Sequence, residues 1–189
     1  MKKFGLLILI ILCNANLLAQ EGYTVVLSGG LVRPNDSKSK KFWNQGKSFD
    51  LRTKFKRTDF GAMFAEIGYL RNQLKSKNRI NGRSTHRSDF LVGIGTEINS
   101  KLLIFNLNSY FSVGALHEKK PAFYKFERGG PYLEKKSTNT KYYFNSCIGL
   151  SRPVSKNVEI GINTRFLFSI RGEPRGFWFP TTLDLRIHF

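Results

Sequence analysis

Residues 179–189 read FPTTLDLRIHF, and their alternation decides the fold class. Leu183, Leu185, Ile187 and Phe189 fall on one parity, and Thr182, Asp184, Arg186 and His188 fall on the other. Successive side chains of a β-strand point to opposite faces, so this stretch has one apolar face and one charged face. A water-soluble sheet makes the same pattern, so the choice of solvent has to come from the rest of the chain.

Moving outward, seven more segments carry the same period, near 23–32, 47–56, 60–70, 89–98, 102–114, 141–151 and 158–170. In the second, Phe49, Leu51, Thr53 and Phe55 alternate with Asp50, Arg52 and Lys54. In the fifth, Leu103, Phe105, Leu107, Phe111 and Val113 oppose Asn106, Asn108, Tyr110 and Ser112. No helical period competes after the first twenty residues. The connections alternate in length: long polar ones at 33–46, 71–88 and 116–140, short ones at 57–59, 99–101 and 152–157, and a medium one at 171–176. Eight strands with alternating long loops and short turns predict an all-β, eight-stranded antiparallel up-and-down transmembrane β-barrel. Eleven residues at about 3.4 Å each, tilted by about 40°, rise roughly 28 Å, enough for an apolar band of about 25 Å. Mean hydropathy of −0.29 does not argue against this, because only every second strand residue would meet lipid.

The amino-terminal residues form a separate unit. Lys2 and Lys3 precede an apolar run at 4–12, and Leu17-Leu18-Ala19 offers a cleavage site. Residues 1–20 therefore predict a signal peptide, leaving 21–189 as one barrel domain. The run is too short to cross a bilayer as a helix, and Leu12 before Cys13 is bulkier than a lipidation signal requires. After cleavage only Cys147 remains, which precludes an internal disulfide. Losing Lys2 and Lys3 lowers the formal charge from +18 to +16.

Charge placement assigns the faces. A Lys or Arg at the bilayer midplane costs about 2–4 kcal/mol, so the charged strand positions should point inward. The expected lumen network is Asp50, Glu66, Glu97, Glu159 and Asp184 with Arg52, Lys54, Arg165 and Arg186. Eight strands leave an interior that side chains can fill, which predicts a polar plug rather than a pore. With Glu66 inward, Phe60 and Phe64 must also turn inward, and the first strand has no charge to orient it.

The surplus positive charge lies in the long loops. Lys75, Lys77, Arg79, Arg83 and Arg87 fall in the second, and Lys119, Lys120, Lys125 and Arg128 in the third, among Phe123, Tyr124, Phe126 and Tyr132. These predict anion-binding loops, by long-range attraction and charge-assisted hydrogen bonds. The plainer alternative is that they only offset lipid phosphate and keep the loops solvated. Lipopolysaccharide phosphates, acidic surface glycans or a protein partner fit the binding reading. A nucleic-acid partner does not fit, because the charge is in loops of an exported chain rather than in a stripe across one sheet.

The terminal strand ending in Phe189, the export leader and the loop alternation resemble the outer-membrane β-barrel family of OmpX/OmpA-like and PorT-like eight-stranded barrels. The resemblance implies an outer-membrane location with both termini periplasmic and a monomer. It also implies that Leu185, Ile187 and Phe189 are read by the barrel-assembly machinery. Adhesion, envelope integrity and secretion support are the roles it suggests, with no cofactor. Two other readings stay open. A lipid A-modifying hydrolase or acyltransferase would need an activated Ser–His pair, for which His86 near Ser84, Ser88 and Asp89, or His117 beside Glu118, are the candidates. A soluble, lipocalin-like exported ligand-binding barrel would share the strand count. Three scattered His and one Cys have no metal-ligand spacing.

Overall fold

The computed structural model describes residues 22–34, 37–58, 61–127, 130–169 and 177–189. The leader at 1–20, Phe60, Arg128 and the connection at 171–176 lie outside the described residues. Eight strands close a barrel in the order β1-β10-β9-β8-β5-β4-β3-β2, every neighbouring pair antiparallel. They are β1 (Thr24–Pro34), β2 (Gly46–Thr58), β3 (Gly61–Gln73), β4 (His86–Leu102), β5 (Phe105–Lys120), β8 (Ser137–Ser155), β9 (Val158–Ser169) and β10 (Phe177–His188). The loop between β5 and β8 contains its own hairpin, β6 (Phe123–Glu127) and β7 (Gly130–Glu134). A short helix, α1 (Ser37–Phe42), follows β1, and a 3-10 turn spans Ser76–Asn78. These three loop elements have no counterpart in the sequence reading.

The register fixes the geometry of the cylinder. Pairing runs from Thr24 through Lys54, Phe64, Gly95, Ser112, Asn145, Leu167 and Trp178 and returns to β1 at Pro34, ten residues from its start. With eight strands, that displacement tilts each strand about 40° and gives a backbone wall about 16 Å across. Only side chains fit inside.

The faces are inverted relative to a barrel in water. Leu183 and Leu185 of β10 are 66% and 37% exposed, whereas Asp184 and Arg186 are 3% and 2% exposed. The same holds around the wall: Ile94, Val113, Ile148 and Ile162 stand outside while Glu97, Ser112, Asn145 and Asn163 are buried. A soluble ligand-binding barrel needs the opposite arrangement, so that alternative is set aside. Leu185, Ile187 and Phe189, the expected assembly signal, lie on the outer face. β1 turns Val26, Ser28 and Val32 inward, and β3 turns Phe64 and Glu66 inward.

The strands also run further at the loop end than alternation suggests. β4 starts at His86, β5 continues to Lys120, and β8 begins at Ser137, with Ser137 to Tyr142 paired to β5 alone among the described residues. At the other end the turns are tight, with Leu103 adopting a positive φ of 56° between β4 and β5.

Candidate functional site

The lumen is filled in three tiers. The tier towards the short turns is an ion network centred on Glu97, which is fully buried. Glu97 accepts from Lys54 Nζ at 2.7 Å and Arg186 Nη1 at 2.6 Å, with Arg52 Nη1 at 3.6 Å. Arg52 also donates to Asp184 at 2.9 Å and to the Ser28 hydroxyl at 3.1 Å. Arg165 pairs with Asp50, and Glu66 accepts from the Ser112 hydroxyl and, at 2.7 Å, from Tyr143 Oη. Tyr110 lies under both guanidinium groups, with Arg52 4.3 Å and Arg165 5.7 Å from its ring centroid. At the rim, Glu159 accepts from Ser151 at 2.8 Å and Asn106 at 3.1 Å, and His188 stands 3.2 Å away. All nine expected network residues therefore face the interior, and seven of them, Asp50, Arg52, Lys54, Glu97, Arg165, Asp184 and Arg186, are linked by ion pairs. Glu159 reaches Arg186 through Ser151 and Asn108, and Glu66 is held by its two hydroxyl donors.

Above this lies an apolar tier. Val32, Leu70, Leu91, Leu116, Tyr143, Leu167 and Trp178 pack into one buried cluster. The loops cap it: Trp43 after α1, Leu74 of the second loop and Phe123 of β6 belong to the same cluster. Phe123 meets Phe42 and Trp43 with ring centroids 5.4 and 5.7 Å apart. Loops that pack a shared apolar core are ordered parts of the barrel end.

The third tier is a second charged cluster on the inner face of the extended β4-β5-β8 sheet. Arg87 pairs with Asp89 at 2.9 Å and with Glu118, and its guanidinium lies 4.4 Å over the Trp178 ring. Glu118 also receives Lys141 at 3.0 Å and Lys120 at 3.2 Å. This corrects two expected loop cations: Arg87 and Lys120 are strand residues engaged in ion pairs inside the barrel end, because β4 and β5 continue past the apolar alternation. Of the rest, Lys77, Arg83 and Lys119 are exposed, and Lys75 is half-buried. Arg79 donates to the Leu74 carbonyl at 3.1 Å, and Lys125 sits 5.1 Å over the Tyr132 ring. Arg128 lies outside the described residues.

The candidate hydrolase groups are not brought together. Asp89 and Glu118 face the lumen, whereas His86, Ser88 and His117 are on the opposite parity. His117 Nδ1 is within 3.1 Å of Thr140 Oγ1, His86 Nδ1 within 3.3 Å of Thr85 Oγ1, and Ser88 Oγ within 3.1 Å of Tyr69 Oη. Among the described residues, neither imidazole is oriented by a carboxylate on its own face. No group of three or more potential metal ligands occurs among the described residues.

What the loop end does present is a hairpin with an exposed apolar face. Register puts Tyr124 opposite Leu133 and Phe126 opposite Pro131. Tyr124, Leu133 and Phe126 are 40%, 50% and 53% exposed, flanked by exposed Lys135 and Lys136.

No family profile and no curated protein matches the chain. Solved structures match its fold. Neisserial surface protein A gives a TM-score of 0.58 at 12% identity, covering 88% of this chain and 97% of its own. A major outer membrane protein from Thermus thermophilus gives 0.59 at 7% identity, covering 89% and 98%. This is the fold of the eight-stranded outer-membrane barrels. Ail, the attachment invasion locus protein of Yersinia pestis, shares it with a TM-score of 0.55 at 12% identity, covering 89% and 99%. Ail has also been solved in complex with the heparin analogue sucrose octasulfate.

Proposed function

We propose that this chain is an integral outer-membrane barrel, with its short turns and termini periplasmic, whose long loops bind polyanionic surface glycans. One observation carries the reading. The lumen is occupied by its own paired charges and an apolar tier, so the chemistry available to a partner is at the loop end. There, Lys77, Arg83, Lys119, Lys135 and Lys136 are exposed, and the loops that carry them also hold the exposed aromatic hairpin face. Cations interleaved with aromatic rings suit a phosphorylated or sulfated sugar, which offers charge to the lysines and flat C–H faces to the rings. A barrel of the same fold, Ail, takes a polysulfated sugar in a solved complex, which supports the ligand class. Adhesion to acidic glycans follows from this reading, and non-enzymatic action is part of it.

The test is binding of a soluble polysulfated oligosaccharide to the barrel in nanodiscs, comparing the parent with a Lys119→Gln, Lys135→Gln, Lys136→Gln triple variant. The parent should bind in a salt-sensitive manner, and the triple variant should bind several-fold more weakly. A parent that does not bind, or binds equally in low and high salt, refutes the reading.

A further inference from the structure

We propose that Lys47 and Arg71 form a clamp on the outer wall of the barrel for a phosphate of an outer-leaflet lipid headgroup. The inference rests on the outer-membrane reading above and deepens it, by assigning a second anion site that lies on the wall rather than in the loops.

Register puts Lys47 of β2 directly opposite Arg71 of β3, and both side chains are exposed. Directly opposite residues share a face with Cβ atoms about 5 Å apart, and like charges so placed repel. Two ordinary means of relief are missing. The pair does not sit at a fraying end, because the two chains stay joined above it. Asn44 N donates to the Gln73 carbonyl at 2.8 Å, Trp43 bridges Leu74, and Asn72 Nδ2 reaches the Asn44 carbonyl at 3.2 Å. Among the described residues no carboxylate stands beside it either, since the acids of the barrel strands face the lumen and no ion pair involves Lys47 or Arg71.

The ladder below the pair says what kind of anion belongs there. Reading up the outer face, Leu51 opposes Ile67, Phe49 opposes Tyr69, and Lys47 opposes Arg71. Aliphatic, then aromatic, then cationic is the sequence a wall meets when passing from hydrocarbon through the interface to the headgroups. Leu31, 48% exposed, flanks Lys47 on β1, and Ser88, hydrogen-bonded to Tyr69, flanks Arg71 on β4. A phosphate between the two cations replaces their repulsion with charge-assisted hydrogen bonds, while the attached acyl chains cover the apolar wall beneath. A phosphorylated glycolipid meets both requirements, and a free anion meets only the first.

The experiment uses the full-length barrel, with lipid retention counted by native mass spectrometry. Zwitterionic micelles are supplemented with bis-phosphorylated lipid A or with its dephosphorylated counterpart. The parent should retain the phosphorylated form preferentially. K47Q/R71Q should lower that retention about tenfold or more, the effect of losing a single charge-assisted hydrogen bond. K101Q, at the opposite rim, should leave it unchanged. Lys47→Gln alone should raise the unfolding midpoint in lipid-free micelles, where it removes repulsion, and lower it once lipid A is present. A purely structural lysine would not reverse sign. Equal retention of both lipids by the parent, unchanged retention in the double variant, or complete displacement of lipid by millimolar inorganic phosphate would each overturn the clamp. Soluble polysulfate binding is measured on the same variants. Loss of lipid retention with that binding intact supports the wall site, and a failed loop site leaves the lipid comparison standing.

Discussion

Glu97 provides the sharpest test of the lumen. It is fully buried and holds Lys54 at 2.7 Å, Arg186 at 2.6 Å and Arg52 at 3.6 Å. At an effective dielectric of about 20, each of the two short pairs is worth about 6 kcal/mol of attraction, much of it offset by the water stripped from the partners. Glu97→Gln preserves shape but leaves three cations facing one another without their shared counter-charge. The expected cost is about 3–5 kcal/mol, as for other buried pairs broken on one side. Adding Lys54→Met removes one of the stranded cations, so the double variant should recover at least about 1 kcal/mol of that loss. Urea unfolding in phospholipid vesicles, followed by fluorescence of the buried Trp43 and Trp178, reads both values. A Glu97→Gln barrel within about 1 kcal/mol of the parent would mean that the network behaves like surface pairs. A double variant as unstable as the sum of its singles would show that the charges are uncoupled. Either result refutes a desolvated, mutually dependent lumen.

Three further outcomes follow from the tiers and faces. Leu183→Arg, at an outward position 66% exposed, should cost about 2–4 kcal/mol in bilayers and impair heat-modifiable gel migration, while remaining mild in a water-solvated fold. The parent in planar bilayers should show no stepwise conductance, and porin-like steps would contradict an interior closed by the cluster around Leu91, Tyr143 and Trp178. Phe123→Ala removes the ring that packs on Phe42 and Trp43, so protease should cut 121–136 faster while the global unfolding midpoint barely moves, because the loop cap opens locally.

The barrel was legible wherever one side of a strand faces apolar surroundings. In β10, Leu183 and Leu185 contrast with Asp184 and Arg186, and in β2 Phe49 and Leu51 contrast with Asp50 and Arg52, so parity alone assigns inside and outside. The contrast fades at the loop end. His86, Arg87, Ser88 and Asp89 are all polar, as are Ser137 to Lys141, because the strands run on past the exposed apolar rows and carry polar side chains on both faces there. Alternation then carries no signal, which is why Arg87 and Lys120 read as loop cations and why β5 and β8 looked shorter than they are. The orientation of β3 was a forced choice in the sequence, and Phe64 resolves it by packing edge-on against Tyr110 at 5.4 Å inside the lumen. The hairpin of β6 and β7 has five residues per strand, too few for a period to be distinguished from a loop rich in aromatics.

The partition of charge ties the interior to the proposed sites outside it. Inside the barrel stand Asp50, Glu66, Asp89, Glu97, Glu118, Glu159 and Asp184, matched by Arg52, Lys54, Arg87, Lys120, Lys141, Arg165 and Arg186. A desolvated interior tolerates charge only when it is nearly balanced, and these seven acids and seven bases cancel. Those carboxylates are more than half of the 13 in the whole sequence, so the net charge of +16 that remains without Lys2 and Lys3 belongs to the exterior and the loops. Filling the lumen with the acids leaves the outer surface short of them, and among the described residues pairs such as Lys47 and Arg71 then have no counter-ion on their own face. An uncompensated cation in water costs little, but two held opposite each other on a rigid ladder favour any anion that can reach both. The closed interior and the uncompensated cations of the exterior are therefore two results of one allocation of carboxylates.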